Sequence, residues 1–112
     1  MAAEFPTVSV KIEDGRPTDG VYEVEVWDDD YLGRFSDKVK KKNGLCGEYQ
    51  QAVRINTAIF VARIKDWEGC NGVECTPENK RKFREKFREL ALEILNEADQ
   101  IYAKQEQDAW GN

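Results

Sequence analysis

The sequence contains no histidine, and this absence removes the residue that most often serves as a general base or metal ligand near neutral pH. Without histidine, neither a Ser-His-Asp triad nor a Cys-His nucleophile pair can form. The phosphate-binding patterns GxxxxGK[ST] and GxGxxG are also missing. We therefore predict a protein that is not an enzyme and that uses no cofactor.

Cysteine is scarce, with three residues in 112. An odd number of cysteines argues against a disulfide framework. Three cysteines without histidine also cannot complete a four-ligand zinc site from one chain. Cys70 and Cys75 lack the CxxC redox spacing. The three cysteines are Cys46, Cys70 and Cys75. We expect Cys70 and Cys75 to be free thiols or partly buried small apolar residues, and we expect no metal.

Long apolar runs are missing too, because no stretch approaches the roughly 18 apolar residues of a spanning helix. The first residues, MAAEFPTVSV, lack the basic and apolar segments of a secretory signal. The length of 112 residues predicts one domain, residues 1–112. Together these features predict a cytoplasmic protein with no membrane partner.

Charge is distributed unevenly along a chain whose net charge is −5. Residues 1–37 carry −7, residues 38–66 carry +5, and residues 67–112 carry −3. Such segregation favours internal pairing or a partner with complementary patches. The basic segment includes the lysines between Lys38 and Lys42, which could form a nucleic-acid patch, but no aromatic residue interrupts them. A nucleic-acid partner is therefore the less favoured interpretation.

Two alternating segments predict an antiparallel β-hairpin over residues 7–27. Residues 7–12 and 21–27 place apolar and polar side chains on opposite faces, and the segment between them is rich in glycine and aspartate. The apolar faces consist of Val8, Val10 and Ile12 on one strand and Tyr22, Val24 and Val26 on the other.

The next segments predict two helices of unequal clarity. Asp28–Asp30 resembles the start of a calcium loop, but Leu32 and Val39 occupy positions that need oxygen ligands, so a turn or helix start is favoured. A short helix then ends at Asn43-Gly44. Residues 50–64 fit both a strand and a helical stripe. Their uninterrupted length favours a helix over residues 48–66.

The strongest helix start in the chain follows the segment KDWEG at residues 65–69. Thr76 is the predicted N-cap, and Pro77 occupies the first helical position. Spacings of three and four residues between apolar side chains then predict one continuous helix to about Gln105, followed by a frayed tail at 106–112. We expect Trp67 to be buried between the middle helix and this last helix.

Charge order in the last helix opposes its macrodipole, because bases fill its first half and acids follow. Two interpretations remain open. The first is a solvated face with pairs such as Arg81–Glu85, and the second is a docking surface that presents both polarities to a partner. Trp110 either folds back on the domain or anchors a partner. The candidate structural or partner-binding residues are Trp67, Gly69, Thr76, Pro77, Arg81, Arg84, Arg88, Glu89, Glu93 and Trp110.

The predicted fold class is α+β. An N-terminal antiparallel hairpin packs on a small bundle of about three α-helices, and the helical part spans residues 31–105 with a long C-terminal helix.

The order of these elements, with Asp66–Gly69 reading DWEG, then Gly72, then Thr76–Asn79 reading TPEN, resembles the tail assembly chaperones of long-tailed bacteriophages. The loop between the two motifs is shorter here than the D-x-D-G insert that the family usually carries. The resemblance implies a non-enzymatic protein of a phage or prophage that acts in the bacterial host cytoplasm. It implies a protein partner, the helical tape measure protein or another tail protein, which the chaperone keeps soluble until the tail is assembled.

Two other functions remain open at this point. One is a structural protein of the phage head–tail junction or tail end. The other is a small nucleic-acid-binding regulator that would use Lys38–Lys42 and Lys80–Arg88. The oligomeric state is not determined by any sequence pattern.

Overall fold

The computed structural model describes residues 5–111 and shows an α+β fold with a three-stranded antiparallel sheet, four α-helices and one 3₁₀ turn in that range. The long C-terminal helix is present, as predicted. In chain order the elements are β1 Thr7–Ile12, β2 Gly20–Glu25, α1 Asp29–Asn43, α2 Glu48–Arg63, β3 Ile64–Gly69, the 3₁₀ turn Cys70–Gly72, α3 Pro77–Lys86 and α4 Arg88–Ala109.

The N-terminal hairpin is confirmed, with Val8 opposite Val24 and Val10 opposite Tyr22. One face of the hairpin is buried against α4 and α3, and the other carries polar side chains such as Lys11. Alternation with a period of two is therefore the physical basis of this part of the fold, because it places every second side chain in the core.

The turn between β1 and β2 is organised by Asp19. Its carboxylate accepts the backbone N–H groups of Asp14 and Gly15, each at 2.8 Å. These hydrogen bonds, that from Asp14 first, hold the pKa of the Asp19 carboxyl below its usual value of 3.8. Next to it, the Tyr22 hydroxyl donates to the carbonyl oxygen of Thr18, which closes the turn onto the core.

The segment after α2 differs from the prediction, because the helix ends at Arg63 and the chain continues as β3. β3 pairs antiparallel with β2, so the hairpin becomes a sheet in the order β1-β2-β3. The register shifts near Glu23, so that β3 holds one extra residue. This bulge allows Ile64 and Trp67, three positions apart, both to point into the core. The prediction of helix up to residue 66 followed by loop was wrong because the free edge of β2 offers hydrogen bonds that a local pattern does not reveal.

The last helix is also different, since it divides into α3 and α4 at Phe87. Phe87 leaves helical geometry at φ −124° and ψ 57°, although its N–H still donates to Phe83 and its carbonyl still accepts from Ala91. The bend separates α3, whose Phe83 stacks on Phe60 of α2, from α4, which packs mainly on β1 and β2. The prediction of one continuous helix was wrong because spacings of three and four persist through this bend, without Gly or Pro to mark it.

The C-terminal boundary extends further than predicted, because α4 continues to Ala109 and the segment 106–109 is helical. Trp110 follows directly and is 84% exposed, so it does not fold back on the domain.

Helix α1 lies outside the main core and none of its residues is buried. It begins where Asp28 accepts the N–H of Tyr31 at 2.7 Å, so the predicted helix start at this acidic cluster is confirmed. α1 packs on α2 and on Trp27, whose ring lies 4.8 Å from those of both Tyr31 and Phe35. This small aromatic cluster is separate from the core under the sheet.

Arg63 joins three elements at one end of the domain and is only 5% exposed. Its Nε donates to the carbonyl oxygen of Glu25 at 2.8 Å, and its Nη2 contacts Asp99 at 2.6 Å. A buried arginine needs such partners, since an unpaired charge in the interior is strongly unfavourable.

Gly69 and Gly33 provide a matched test of the sheet. Gly69 has φ +93°, and a Cβ there would lie 2.6 Å from the carbonyl oxygen of Asp19. We expect Gly69→Ala to destabilise the protein by about 1–3 kcal/mol from backbone strain alone, with the collision adding to this cost. Gly33→Ala, in an open position of α1, should stabilise by about 0.5–1 kcal/mol. Urea denaturation measures both, and equal effects would contradict this placement of β3.

The lowered pKa of the Asp19 carboxyl makes the stability of the fold depend on pH. Because its pKa is lowered in the folded state, its contribution is complete above the unfolded-state pKa and is lost as pH falls through the folded-state pKa. Asp19→Ala should therefore lower the melting temperature at pH 7, and the difference from the original protein should shrink below about pH 4. Thermal unfolding by circular dichroism at several pH values checks this. A difference in melting temperature that stays constant down to pH 2 would contradict the hydrogen bonds that Asp19 accepts from Asp14 and Gly15.

Candidate protein-binding surface

The junction between β3 and α3 is built around Trp67, which is 6% exposed. Its indole N–H donates to the carbonyl oxygen of Val73 at 2.7 Å. Its ring lies 6.0 Å from that of Tyr22 and 5.6 Å from that of Phe83. Trp67 is therefore buried, as predicted. Its aromatic neighbours lie on β2 and on α3, whereas the prediction placed it between the middle helix and the last helix.

The predicted start of α3 is confirmed. Thr76 Oγ1 accepts the N–H of Asn79 at 3.1 Å, and Pro77 occupies the first turn. Asn79, where a capping box would place Glu or Gln, uses its side-chain amide to donate to the carbonyl oxygen of Glu74 at 2.9 Å. The side chain therefore fixes the loop to the helix that follows it.

The sequence indicated Lys80 only as part of the basic segment Lys80–Arg88, yet it joins α3 to the end of α2. Its Nζ donates to the carbonyl oxygens of Val61 at 3.2 Å and Ile64 at 2.6 Å. These carbonyls lie at the end of α2, where they lack helical partners and favour a cation. The interaction joins residues far apart in sequence, so no local pattern could have indicated it.

The 3₁₀ turn contains Cys70 and Asn71, both with positive φ, at 49° and 55°. The turn is held because the N–H of Cys70 donates to the carbonyl oxygen of Asp19 at 2.9 Å. The Cys70 thiol is buried and donates to the Tyr22 hydroxyl at 3.2 Å. Burial raises the pKa of the Cys70 thiol and likewise of the Cys75 thiol. Both thiols are free, as expected, and neither is activated as a nucleophile.

Two concave surfaces flank the contact between α2 and α3. The first, which we call the α2–α3 groove, has a volume of about 440 Å³. Its floor is the half-buried apolar face of α2, and its edges are charged. The floor consists of Val53, Thr57, Ala58, Val61 and Ala62, and the edges of Arg54, Arg81 and Glu85.

The second surface, the α2–α4 cleft, has a volume of about 260 Å³. Leu92 lies at its edge and is 60% exposed. Arg84 lines the same cleft, and its Nη1 is buried without a hydrogen-bond partner among residues 5–111. Burial, and then the neighbouring charge of Arg88, lower the pKa of the Arg84 guanidinium. The cleft is lined by Asn56, Ile59, Phe60, Arg84, Arg88, Glu89, Ala91, Leu92 and Leu95.

The candidate residues from the sequence therefore lie in five separate places. Trp67, Gly69, Thr76 and Pro77 form the β3–α3 junction and act structurally.

Arg81 lies at the edge of the α2–α3 groove, whereas the α2–α4 cleft is lined by Arg84, Arg88 and Glu89. Glu93 lies on the β1 side of α4 near Lys11.

Trp110 stands alone at the end of α4, outside the packed domain.

The ion pairs on α3 differ from those expected. In the described chain, Arg81 and Glu85 are not within salt-bridge distance, and Lys82 instead contacts Glu78 at 3.4 Å. That pair is exposed, so its contribution is only tenths of a kcal/mol. The bend at Phe87 also separates the acidic residues, because Glu85 lies on α3 and Glu93 on α4.

Over residues 5–111, no group of three or more His, Cys, Asp or Glu side chains is arranged to hold a metal ion. Within the same residues, no helix has the length and apolar character required to cross a membrane.

Trp67 gives a direct test of the junction. Trp67→Ala should cost about 3–5 kcal/mol because it leaves a cavity beside Phe83 and an unpaired carbonyl at Val73. Trp110→Ala removes the same side chain from an exposed position and should change the free energy of unfolding by less than about 0.5 kcal/mol. Chemical denaturation at low protein concentration compares them. Similar losses in both variants would show that the junction does not organise the core.

Comparison with known proteins gives no match to a protein-family model, to a curated protein or to a solved structure.

Proposed function

We propose that this protein is a non-enzymatic tail assembly chaperone of a long-tailed phage or prophage. In this role it binds helical segments of the tape measure protein in the host cytoplasm and keeps them soluble. The observation that carries the proposal is the α2–α3 groove, a partly exposed apolar helix face between charged edges.

The groove suits a helix as its occupant. α2 is apolar over much of its surface, but in the described chain only Phe60 and Arg63 of this helix are buried. Its 16 residues span about 24 Å, which is longer than the roughly 12 Å covered by a partner segment with anchors at i, i+3, i+4 and i+7. Covering this face would remove apolar surface from water on both molecules, which is the general driving force for such binding.

Charge at the groove edges favours an acidic flank on the partner helix. Arg54 and Arg81 are both exposed there and face the same opening, with Glu85 beside them. Exposed charges of this kind direct encounter and orientation more than they add affinity. A segment with apolar anchors and acidic neighbours therefore fits this groove best.

The residues that carry the family resemblance support the proposal through their positions. Trp67 in the DWEG motif packs on Phe83 of α3, and Thr76 of the TPEN motif caps the same helix. Lys80 then ties α3 to the end of α2. The motif residues thus set the separation of the two helices that form the groove.

Co-expression with the tape measure protein of the same phage tests the proposal. The chaperone should increase the soluble fraction of that protein and co-elute with it in size-exclusion chromatography. Ala58→Glu, in the groove floor, and Arg81→Glu, at its edge, should each abolish or strongly reduce co-elution. Lys38→Glu changes an exposed charge on α1 and should leave co-elution unchanged.

Circular dichroism of each variant confirms that it is folded before binding is compared. No gain in solubility with the original protein would refute the chaperone role. Detection of the protein in purified phage particles would instead favour a structural role at the head–tail junction or tail end. A DNA affinity that falls steeply with salt would favour a regulator.

A further inference from the structure

The exposed side of α4 carries two large apolar residues, Leu92 at 60% exposure and Trp110 at 84%. They lie 18 residues apart, which is five helical turns, so both point to the same side of the helix. Ala103, also exposed, lies between them on nearly the same line. This line of residues, Leu92, Ala103 and Trp110, is called the α4 stripe.

The last two turns of α4 project beyond the packed domain, since every residue from Ala103 to Trp110 is exposed. A large aromatic residue at the end of a projecting helix is unusual on a surface that stays in water, because Trp is enriched where it contacts another molecule.

The α2–α4 cleft lies at the opposite end of the same stripe and has features that fit an aromatic side chain. Leu92 and Ile59 provide apolar walls, and Arg84 and Arg88 provide two guanidinium groups at its edge. Guanidinium groups bind the face of Trp in preference to other rings. The buried Nη1 of Arg84 also lacks an acceptor within residues 5–111.

Trp110 cannot reach the cleft of its own chain. Leu92, at the edge of the cleft, and Trp110 are fixed on one helix about 27 Å apart. A Trp110 side chain seated in this cleft would therefore come from a second copy of the chain.

We propose that two copies of this chain pair through α4 in an antiparallel two-fold arrangement, with Trp110 of each copy seated in the α2–α4 cleft of the other. Two-fold symmetry makes the contact self-complementary, so both clefts are filled at once and no open chain of copies forms. Ala103 lies near the centre of the contact, where its small side chain lets the two helices approach closely.

Charge order along the chain agrees with this pairing. Arg84 lies in the last turn of α3, Arg88 is the first residue of α4, and Glu106 lies in the projecting turns. At the N-terminus of α4, the charge of Arg88 opposes the macrodipole of that helix. An antiparallel pair instead places the basic end of one copy beside the acidic end of the other, where Glu106 can neutralise the two neighbouring guanidinium groups.

The contact is small. A buried Trp removes about 150–250 Å² from water, so two such residues and the α4 stripe stay at or below the roughly 1,200 Å² of stable interfaces. The dimer should therefore be reversible and concentration-dependent. The α2–α3 groove lies outside this contact, so dimer formation and partner binding are separately testable.

Sedimentation equilibrium over a range of protein concentrations tests the pairing. The original protein should show a monomer–dimer equilibrium, and Trp110→Ala should weaken it at least about tenfold. Leu45→Ala is the matched control, because Leu45 is also fully exposed but lies at the α1–α2 turn. It should leave the equilibrium unchanged. A monomer at every concentration, or a dimer that survives Trp110→Ala, would overturn the proposal.

A charge exchange tests the antiparallel geometry. Arg88→Glu and Glu106→Arg should each weaken the homodimer, since each places like charges at both contacts. An equimolar mixture of the two variants should restore dimers, because both contacts then join opposite charges. If the mixture stays as monomeric as the separate variants, the arrangement is wrong. Circular dichroism at low concentration shows that each variant is folded, which separates loss of pairing from loss of structure.

Discussion

The structure depends on the contact of Trp67 with Tyr22 and Phe83. It exists only because β3 pairs with β2, which brings a residue from the middle of the chain beside one from the hairpin. Phe83 in turn stacks on Phe60 of α2, with ring centres 5.5 Å apart. One continuous set of aromatic contacts thus links the sheet to the two helices that form the proposed binding groove, so sheet stability and groove geometry are not independent properties.

Sequence patterns were sufficient where one local rule decides the structure. Alternation predicted the β-hairpin, and hydroxyl capping with proline at the first turn predicted the start of α3 at Thr76 and Pro77. These features depend on residues within a few positions of each other. Fold class followed from them, because a hairpin and several amphipathic helices admit few other arrangements.

The errors have one common physical origin, which is pairing between distant segments. β3 forms because the edge of β2 has unpaired backbone groups, and the bend at Phe87 forms because α3 and α4 pack against different partners. The candidate site divides in the same way. Arg84 and Arg88, four residues apart in sequence, line one cleft, but the apolar face of α2 beside Arg81 becomes visible only when α3 is placed. Lys80 lacked any local signal for the same reason.

The peripheral position of α1 has a consequence for dynamics. None of the residues of α1 is buried. Apart from its packing on α2, the contacts of α1 lie mainly in the aromatic cluster around Trp27. A segment with so little buried apolar area opens at a lower free energy than the core does. Amide hydrogen exchange in α1 should therefore proceed through local opening that leaves the sheet intact. Each opening would expose the side of α2 that α1 covers, so the apolar surface of this helix is larger in the fluctuating molecule than in its average structure.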